Sequence, residues 1–293
     1  MKYEFIHNCR GGESVTLACS VLSVSLGAYQ CWLMHDGPNR RKRDRELLAQ
    51  IQRIHEEYRG VYGARRIWQE LKERGIRCAF WRVVRLRREA GIRVPSHRKR
   101  NYLRRQQRHP VRSARNLLRS QFRVTAPNRV WVGDMTFVRT RAGFLHLAIL
   151  LDLYSHRVVG WGMSDLPPNL GLAMSALGMA LLQRLPREGL IHHTDRGLPY
   201  RSSAYRKCLR NHRILPSMTA TGSPWQNAAA EHFFRSLKQE LVYNSDFETR
   251  EEAQTAIFEY IEIFYNRQRR HRALGWISPM EFEERKGVSM VSL

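Results

Sequence analysis

Val130-Trp131-Val132-Gly133-Asp134-Met135-Thr136-Phe137-Val138 is a run of β-branched and aromatic residues with one aspartate in its middle. Its composition predicts a strand, and a carboxylate inside an apolar strand is costly unless it is paired or bound to a metal. Working outward, the runs Phe144 to Leu153 and Arg157 to Met163 follow across the turn signals Ala142-Gly143 and Tyr154-Ser155. Such short separations predict an antiparallel meander. Next come a helix from Leu170 to Arg184, a short strand Leu190 to His193, a helix from Ser202 to His212 and a fifth strand, Ile214 to Met218. After a Gly- and Pro-bearing loop, Thr221 to Trp225, helices from Asn227 to Leu241 and Arg250 to Asn266 complete the unit. Three adjacent strands followed by alternating helices and strands describe a mixed α/β sheet with helices against it.

Two more carboxylates in this half occupy telling places. Asp195 follows directly on the short strand, and Glu231 lies on the helix just past the loop. A sheet that sets its first strand beside its fourth brings Asp134 and Asp195 together, with Glu231 delivered from the side. Singly, each has a plain structural explanation: a hydrogen-bonded strand end, a turn residue in Asp195-Arg196-Gly197, an exposed helix charge. Jointly, three hard oxygen ligands suit magnesium or manganese. Two such ions activate a water or sugar hydroxyl and steady the leaving oxygen during in-line attack at phosphorus. Lys238, seven residues after Glu231, returns to nearly the same helix face about 10 Å further on, where an ammonium grips phosphate. His192 and His193, at a strand end, read as packing or hydrogen-bonding groups rather than ligands.

The charge points to the same chemistry. The 293 residues carry a formal charge of +24. Residues 1–36 hold a net −1, 37–123 a net +20 and 124–293 a net +5. A block of that sign repels itself unless a polyanion lies against it, and nucleic acid is the partner that predicts salt-sensitive, largely sequence-independent binding. A glycosidase also uses paired carboxylates but has no use for such a block.

The basic block has helical periodicity. Asp44 to Glu57 places Leu47, Leu48, Ile51 and Ile54 on one face; Ala64 to Arg74 buries Ile67, Trp68 and Leu71; Ala79 to Ala90 turns Phe80, Val83, Val84 and Leu86 inward. Gly75 and Gly91 stop the last two, giving a helix-turn-helix outline. Arg82, Arg85, Arg87 and Arg88 on the outward face either enter a major groove or grip phosphates. Phosphate contact is favoured, because no base-reading residue stands out. Tyr62 and Trp68 read as core. Residues 97–123, rich in Arg and Lys, read as a linker or arm.

Ser14 to Met34 carries no charge, but its serines interrupt the apolar residues, against a membrane span or a secretory signal; a short helical pair, Val15 to Leu22 and Ser25 to Leu33, is the expectation. Five scattered cysteines without a Cys-x-x-Cys pair argue against a disulfide framework or zinc cage and for a reducing compartment.

At these residues the chain resembles the transposases of bacterial insertion elements within the retroviral-integrase superfamily, and in particular the B-frame protein (OrfB) of the insertion sequence three family. The matching text is Pro127-Asn128, Trp131 to Thr136, His193 to Gly197 with Tyr200, Asn227-Ala228, Glu231, Phe233-Phe234 and Leu237-Lys238. It continues into Tyr265-Asn266-Arg267, Arg270-His271, Leu274-Gly275 and Ser278-Pro279. Upstream, Arg59-Gly60, Tyr62-Gly63, Arg65-Arg66-Ile67 and Leu71 look like that family's second helix-turn-helix segment. Two departures stand out: Leu198-Pro199 replace a more polar pair, and Trp225-Gln226 replace an aromatic residue and an aspartate before Asn227.

The resemblance implies a ribonuclease H-like integrase catalytic core, a mixed five-stranded sheet with helices, behind a helical DNA-binding region. It divides the chain into a short N-terminal helical segment (1–36), a helix-turn-helix-like domain (37–96), the basic arm (97–123), the core (124–285) and a tail (286–293). Asp134, Asp195 and Glu231 would hold two magnesium ions, with manganese able to substitute. Lys238, Arg65, Arg66, Asn227 and the four arginines of the third helix would contact DNA. The implied activity is metal-dependent strand cleavage and transfer on double-stranded DNA, at the element's terminal inverted repeats and in the target. The implied setting is the bacterial cytoplasm on the nucleoid, as a homo-oligomer, without a membrane, and with an A-frame protein (OrfA) or its frameshift fusion. A non-catalytic DNA-binding regulator with the same fold, and a ribonuclease H-type nuclease, are the competing functions.

Overall fold

The computed structural model describes residues 2–8, 14–35, 38–95, 114–118, 124–219 and 227–288. The chain falls into two compact units, Met1–Val94 and Pro95–Leu293.

The first unit is helical: α1 (Lys2–Asn8), α2 (Val15–Val21), α3 (Leu26–His35), α4 (Pro38–Glu57), α5 (Ala64–Glu73) and α6 (Phe80–Glu89). Helices α2 and α3 meet at 112°, and no single described helix is long and apolar enough to cross a membrane. The bend lets Cys19 and Tyr29 bury against Ile6 of α1, a helix the sequence reading did not anticipate. Helix α4 begins six residues earlier than the apolar pattern predicts. Straight-chain Arg and Lys sustain a helix without apolar periodicity, and Pro38 opens it at the position where its missing N–H costs nothing. Ile51, Ile54, Ile67, Leu71 and Val83 are fully buried and join α4, α5 and α6. Tyr62, also fully buried, stacks on Tyr58 with ring centroids 4.1 Å apart. Trp68 donates its indole N–H to the Cys78 carbonyl at 2.9 Å. Both are structural residues, as expected. Gly75 (φ +75°) and Gly91 (φ +66°) supply the left-handed turns that end α5 and α6.

The second unit contains β1 (Val130–Thr140), β2 (Gly143–Asp152), β3 (Val158–Ser164), α7 (Leu170–Arg184), β4 (Ile191–Thr194), α8 (Leu198–Arg201), α9 (Ser203–Asn211), β5 (Leu215–Met218), α10 (Ala228–Glu240), α11 (Arg250–Phe258) and α12 (Pro279–Arg285). Helix α11 continues as a π-helix, Glu259–Tyr265. The sheet order is β3-β2-β1-β4-β5. β1, β2 and β3 form the antiparallel meander, and β4 and β5 extend it in parallel on the other side of β1.

Alternation of side chains along the strands divides the core into two layers. Trp131, Met135, Ala148, Leu150 and Val159 pack with α7 and α9. Helix α7 lies so close that a Cβ on Gly160 would stand 2.2 Å from the Ala176 carbonyl oxygen. The other face takes α10 and α11, which contact β1 and β2. There Trp161 of β3 donates to Glu262 at 2.7 Å, and Asn266 clamps Val158 through both its backbone N–H and its C=O, each at 3.0 Å.

Most of the arm expected over 97–123 lies outside the described residues, as does the loop 221–225. Residues 114–118, however, are part of the core unit. The Leu117 N–H donates to Ser217 Oγ at 2.9 Å, the Arg115 carbonyl accepts from Met218 N at 3.4 Å, and Leu118 is buried. They cover the edge strand β5, whose exposed N–H and C=O groups need such a partner.

Candidate active site

β1 and β4 pair in parallel, and their last register pair is Gly133 with Thr194. The next residue on each strand line is Asp134 and Asp195. Register neighbours of a parallel pair project to the same side, on backbones about 4.8 Å apart. The two aspartates, 61 positions apart in the chain, thus follow the same paired position of the sheet, Asp134 inside β1 and Asp195 just past the end of β4. Gly133, on the other face of β1, leaves room for the His192 ring: a Cβ there would lie 2.9 Å from it.

Asp134 is 3% exposed and accepts the N–H of Met135 at 2.8 Å. Asp195 is half-buried, and its Oδ1 accepts the Gly197 N–H at 2.9 Å. A Cβ on Gly197 would stand 2.9 Å from that same oxygen, which is why glycine follows two residues after the acid. Between them, Arg196 donates to the Thr219 carbonyl at 2.8 Å and ties this turn to the end of β5.

Two contacts seat α10 along β1. At its start, Asn227 donates its side-chain amide to the Gly133 carbonyl at 3.2 Å. Near its end, Lys238 Nζ lies 5.4 Å from the centre of the Phe137 ring. Helix and strand therefore run in the same direction. Glu231, one turn after Asn227 and two turns before Lys238, lies about a third of the way along at 1.5 Å per residue, level with Asp134. It sits in the first turn, where the helix dipole favours an anion.

Among the described residues, no three His, Cys, Asp or Glu side chains are gathered closely enough to hold a metal ion. Full convergence of the three acids, the expectation from sequence, is thus not present. Asp134 and Asp195 each follow the last β1–β4 register pair, while Glu231 lies on a separate helix that Asn227 and Lys238 fasten to β1. The donor chemistry nonetheless fits a divalent cation. All three groups offer carboxylate oxygens, Asp134 is buried, and the Oδ1 of Asn227 is a buried oxygen without a hydrogen-bond partner among the described residues.

The histidines are structural. His192 shares a 2.8 Å hydrogen bond with the Tyr205 hydroxyl, and His193 one of 2.8 Å with Ser217. Burial pushes the His192 pKa down to about 4, so the ring is neutral. Leu198, at the first of the two departures from the family pattern, is exposed at the start of α8, whereas Tyr200 two residues on is buried against His192 and Tyr205. The second, Trp225-Gln226, lies outside the described residues.

Several residues expected at DNA make contacts within the fold. Asn227 is 4% exposed and holds α10 to β1, so it does not reach a ligand outside the fold. Arg82 and Arg85 are drawn onto Asp44 of α4, each at 2.6 Å, because a carboxylate on the neighbouring helix stabilises two adjacent guanidinium groups. Burial would raise the Asp44 pKa, yet hydrogen bonds from Arg85 and Arg82 hold it below the usual carboxylate range. Arg87 donates to the Ile92 carbonyl at 3.3 Å. Arg65 stacks over Phe80 at 4.4 Å and Arg66 over Tyr62 at 5.4 Å. Of the four arginines on α6, Arg88 alone is exposed, and the other three are partly buried.

Functional-looking text near the C-terminus proves architectural. Glu283 of α12, 1% exposed, receives Arg184 at 2.6 Å and Arg157 at 2.9 Å. Arg269 forms a buried two-pronged pair with Glu240, both contacts at 2.7 Å. The sequence reading missed these residues and α12 itself. Ser278-Pro279-Met280-Glu281 carried a signal for that helix, a cap residue with glutamate three further on, and Ser278 Oγ accepts the Glu281 N–H at 3.2 Å.

Residues 124–224 match the Integrase core domain model, a second Integrase core domain model matches 212–279, and an HTH-like domain model matches 42–100. The chain is 40% identical to the insertion element IS600 uncharacterized 31 kDa protein of Shigella sonnei, over 91% of this chain and 97% of that one. It is 38% identical to the transposase for insertion sequence element IS904 of Lactococcus lactis, over 86% and 99%. It is 36% identical to transposase InsF for insertion sequence IS3A of Escherichia coli, over 97% and 99%. A solved HTLV-2 integrase catalytic core domain in complex with magnesium aligns at 16% identity and a TM-score of 0.41, over 55% of this chain and 99% of that one, a likeness too loose to carry an argument. Identity at this level along almost the full length, with an integrase core behind an HTH-like domain, places the chain in the transposase family of IS3-type insertion sequences.

Proposed function

We propose that this transposase cleaves DNA at the ends of its element and joins the freed 3′ hydroxyl to a target phosphodiester, with Asp134, Asp195 and Glu231 as the catalytic carboxylates. The observation that supports this reading is the β1–β4 register, whose last pair, Gly133 with Thr194, immediately precedes Asp134 and Asp195, with Asn227 at the start of α10 bonded to the Gly133 carbonyl. Asp134 and Asp195 would hold the divalent ions, two magnesium or manganese, with Glu231 completing the set from α10. Bound there, such ions supply Lewis acidity at phosphorus and lower the pKa of an attacking water.

The chain's own residues do the rest. Asp134 accepts the Met135 N–H and Asp195 the Gly197 N–H, which orients one oxygen of each. Lys238 binds a phosphate flanking the scissile one. Residues 37–96 hold the element end through Arg88 and the other cations of that domain, and residues 124–285 carry the chemistry. An A-frame protein or its fusion product, together with further copies of this chain, completes the assembly on DNA.

The test is magnesium-dependent cleavage and strand transfer on labelled oligonucleotides carrying the element's inverted repeats. Asp134→Asn, Asp195→Asn and Glu231→Gln are each expected to lower transfer by at least about a thousandfold, in line with loss of electrostatic stabilisation at the reacting centre, while retaining duplex binding. Undiminished transfer by any of the three refutes the assignment. Inactivity of the unmodified protein with its A-frame fusion supports the regulator instead, and cutting of RNA in a hybrid without element ends supports the nuclease.

A further inference from the structure

The hairpin end of β1 and β2 carries two aromatic rings that the fold leaves in solvent. Phe137 is 46% exposed and Phe144 49%, and their rings meet edge to face with centroids 5.2 Å apart. In the β1–β2 register Phe137 lies opposite His146, and Arg139 opposite Phe144. These four side chains share one face, and Arg139 is exposed on it. Lys238 reaches the same place from α10, 5.4 Å from the Phe137 ring centre.

A single exposed apolar residue is ordinary. Two phenylalanines in mutual contact and flanked by cations call for an occupant; Phe137, three residues past Asp134 on β1, projects from the other face of the sheet. The core does not explain them, since about half of each ring's surface remains in water. Exposed ring faces beside cationic side chains are the components of a platform for unpaired nucleic acid, in which a base stacks while a phosphate is neutralised. A protein partner fits less well. Two half-exposed rings fall far short of the roughly 800 Å² per side of a stable interface, and the surrounding charge favours an anion.

We propose that Phe137 and Phe144 form a stacking platform for an unpaired base of DNA bound at the hairpin end of β1 and β2, with Lys238 and Arg139 on the adjoining phosphates. The idea rests on the reading above only for the presence of DNA at this site. Its energetic sense is that drawing a strand out of a duplex loses base stacking, and aromatic rings placed at the exit restore part of it.

The experiment uses the full chain without divalent metal and measures anisotropy of two labelled probes: a duplex ending in a short unpaired fork, and the same duplex fully paired. The Phe137→Ala/Phe144→Ala variant is expected to lose about tenfold in affinity for the fork, the size typical of one base–aromatic stack, with little change for the paired duplex. Phe137→Trp is expected to keep fork affinity and to show fluorescence quenching with the fork but not with the paired duplex. Circular dichroism verifies folding of each variant. Equal losses on both probes, no loss on either, or a change in self-association with unaltered fork binding overturns the platform. Because no cleavage is read, the platform falls or stands separately from the catalytic assignment, which the Asp134→Asn transfer assay decides.

Discussion

Asn227 donates its side-chain amide to the carbonyl of Gly133, the residue immediately before Asp134. One buried hydrogen bond thus couples the start of the helix that carries Glu231 to the strand that carries the first aspartate. Losing such a bond costs about 1–3 kcal/mol when its partner stays buried, and misplacing a catalytic group by about 1 Å costs up to about a hundredfold in rate. Asn227→Ala is therefore expected to lower the urea midpoint modestly and to reduce strand transfer by about 10- to 100-fold, chiefly in kcat, with duplex affinity intact. A variant that loses stability but keeps wild-type kcat shows that the bond serves folding alone.

Asp44 decides how much of the α6 charge is available to DNA. It occupies Arg82 and Arg85 together, so two cations on the second helix of the helix-turn-helix pair are partly neutralised in advance. Asp44→Asn removes that competitor. Duplex binding at low salt is expected to tighten, and the slope of log affinity against log salt to steepen by up to about 2, near 0.9 for each additional phosphate engaged. Titrations at several salt concentrations check this. An unchanged slope means that the two arginines never meet phosphate.

These examples mark where sequence stopped being informative. The strand Val130 to Val138, its two partners and the turns between them were legible because side-chain periodicity and turn chemistry are local. The alignment of Asp134 with Asp195 was legible only as a condition, since pairing of β1 with β4 depends on contacts distant in the chain. Arginine-rich text announced phosphate but not which guanidinium groups were already engaged: Asp44 lies 38 and 41 positions from its two partners. Asn227 reads as a DNA contact and Asn266 only as matching text because nothing local distinguishes an amide that clamps a neighbouring strand from one that meets a ligand. Helix α1 escaped because seven residues with one buried side chain, Ile6, leave no period to count.

Two buried groups give acid stability opposing slopes. Burial lowers the His192 pKa to about 4, against about 6.5 in an unfolded chain. Between those values the unfolded state binds the extra proton, so this contribution is complete above about pH 6.5 and is lost as the pH falls. Burial also raises the Asp152 pKa to about 6, against hydrogen bonds from the Asn128 and Tyr154 N–H groups. Between about 4 and 6 the folded state binds that proton, so Asp152 becomes less destabilising on acidification. The slopes oppose between about pH 4 and 6. Asp152→Asn removes the compensation, and its urea midpoint is expected to fall more steeply than that of the wild type over this range. Parallel curves for the two proteins dismiss the account.

The Glu283 cluster fixes α12 to the core and is the strongest candidate for a stability determinant outside the site. Its carboxylate is 1% exposed and joins Arg184 of α7 to Arg157 at the entrance to β3. Burial acts to raise the Glu283 pKa, but the Arg184 charge and hydrogen bond, with Ser155 and Arg157, hold it below the usual range. Glu283→Ala removes the carboxylate that Arg184 and Arg157 share, and breaking a buried pair in this way costs about 3–5 kcal/mol. Replacing all three members by apolar residues of similar size (Arg157→Met, Arg184→Leu and Glu283→Leu) removes the uncompensated charges as well, and such replacements are close to neutral. The triple variant is therefore expected to melt well above Glu283→Ala, despite carrying more substitutions. If it melts lower, the geometry of the cluster, rather than charge balance, holds α12 in place.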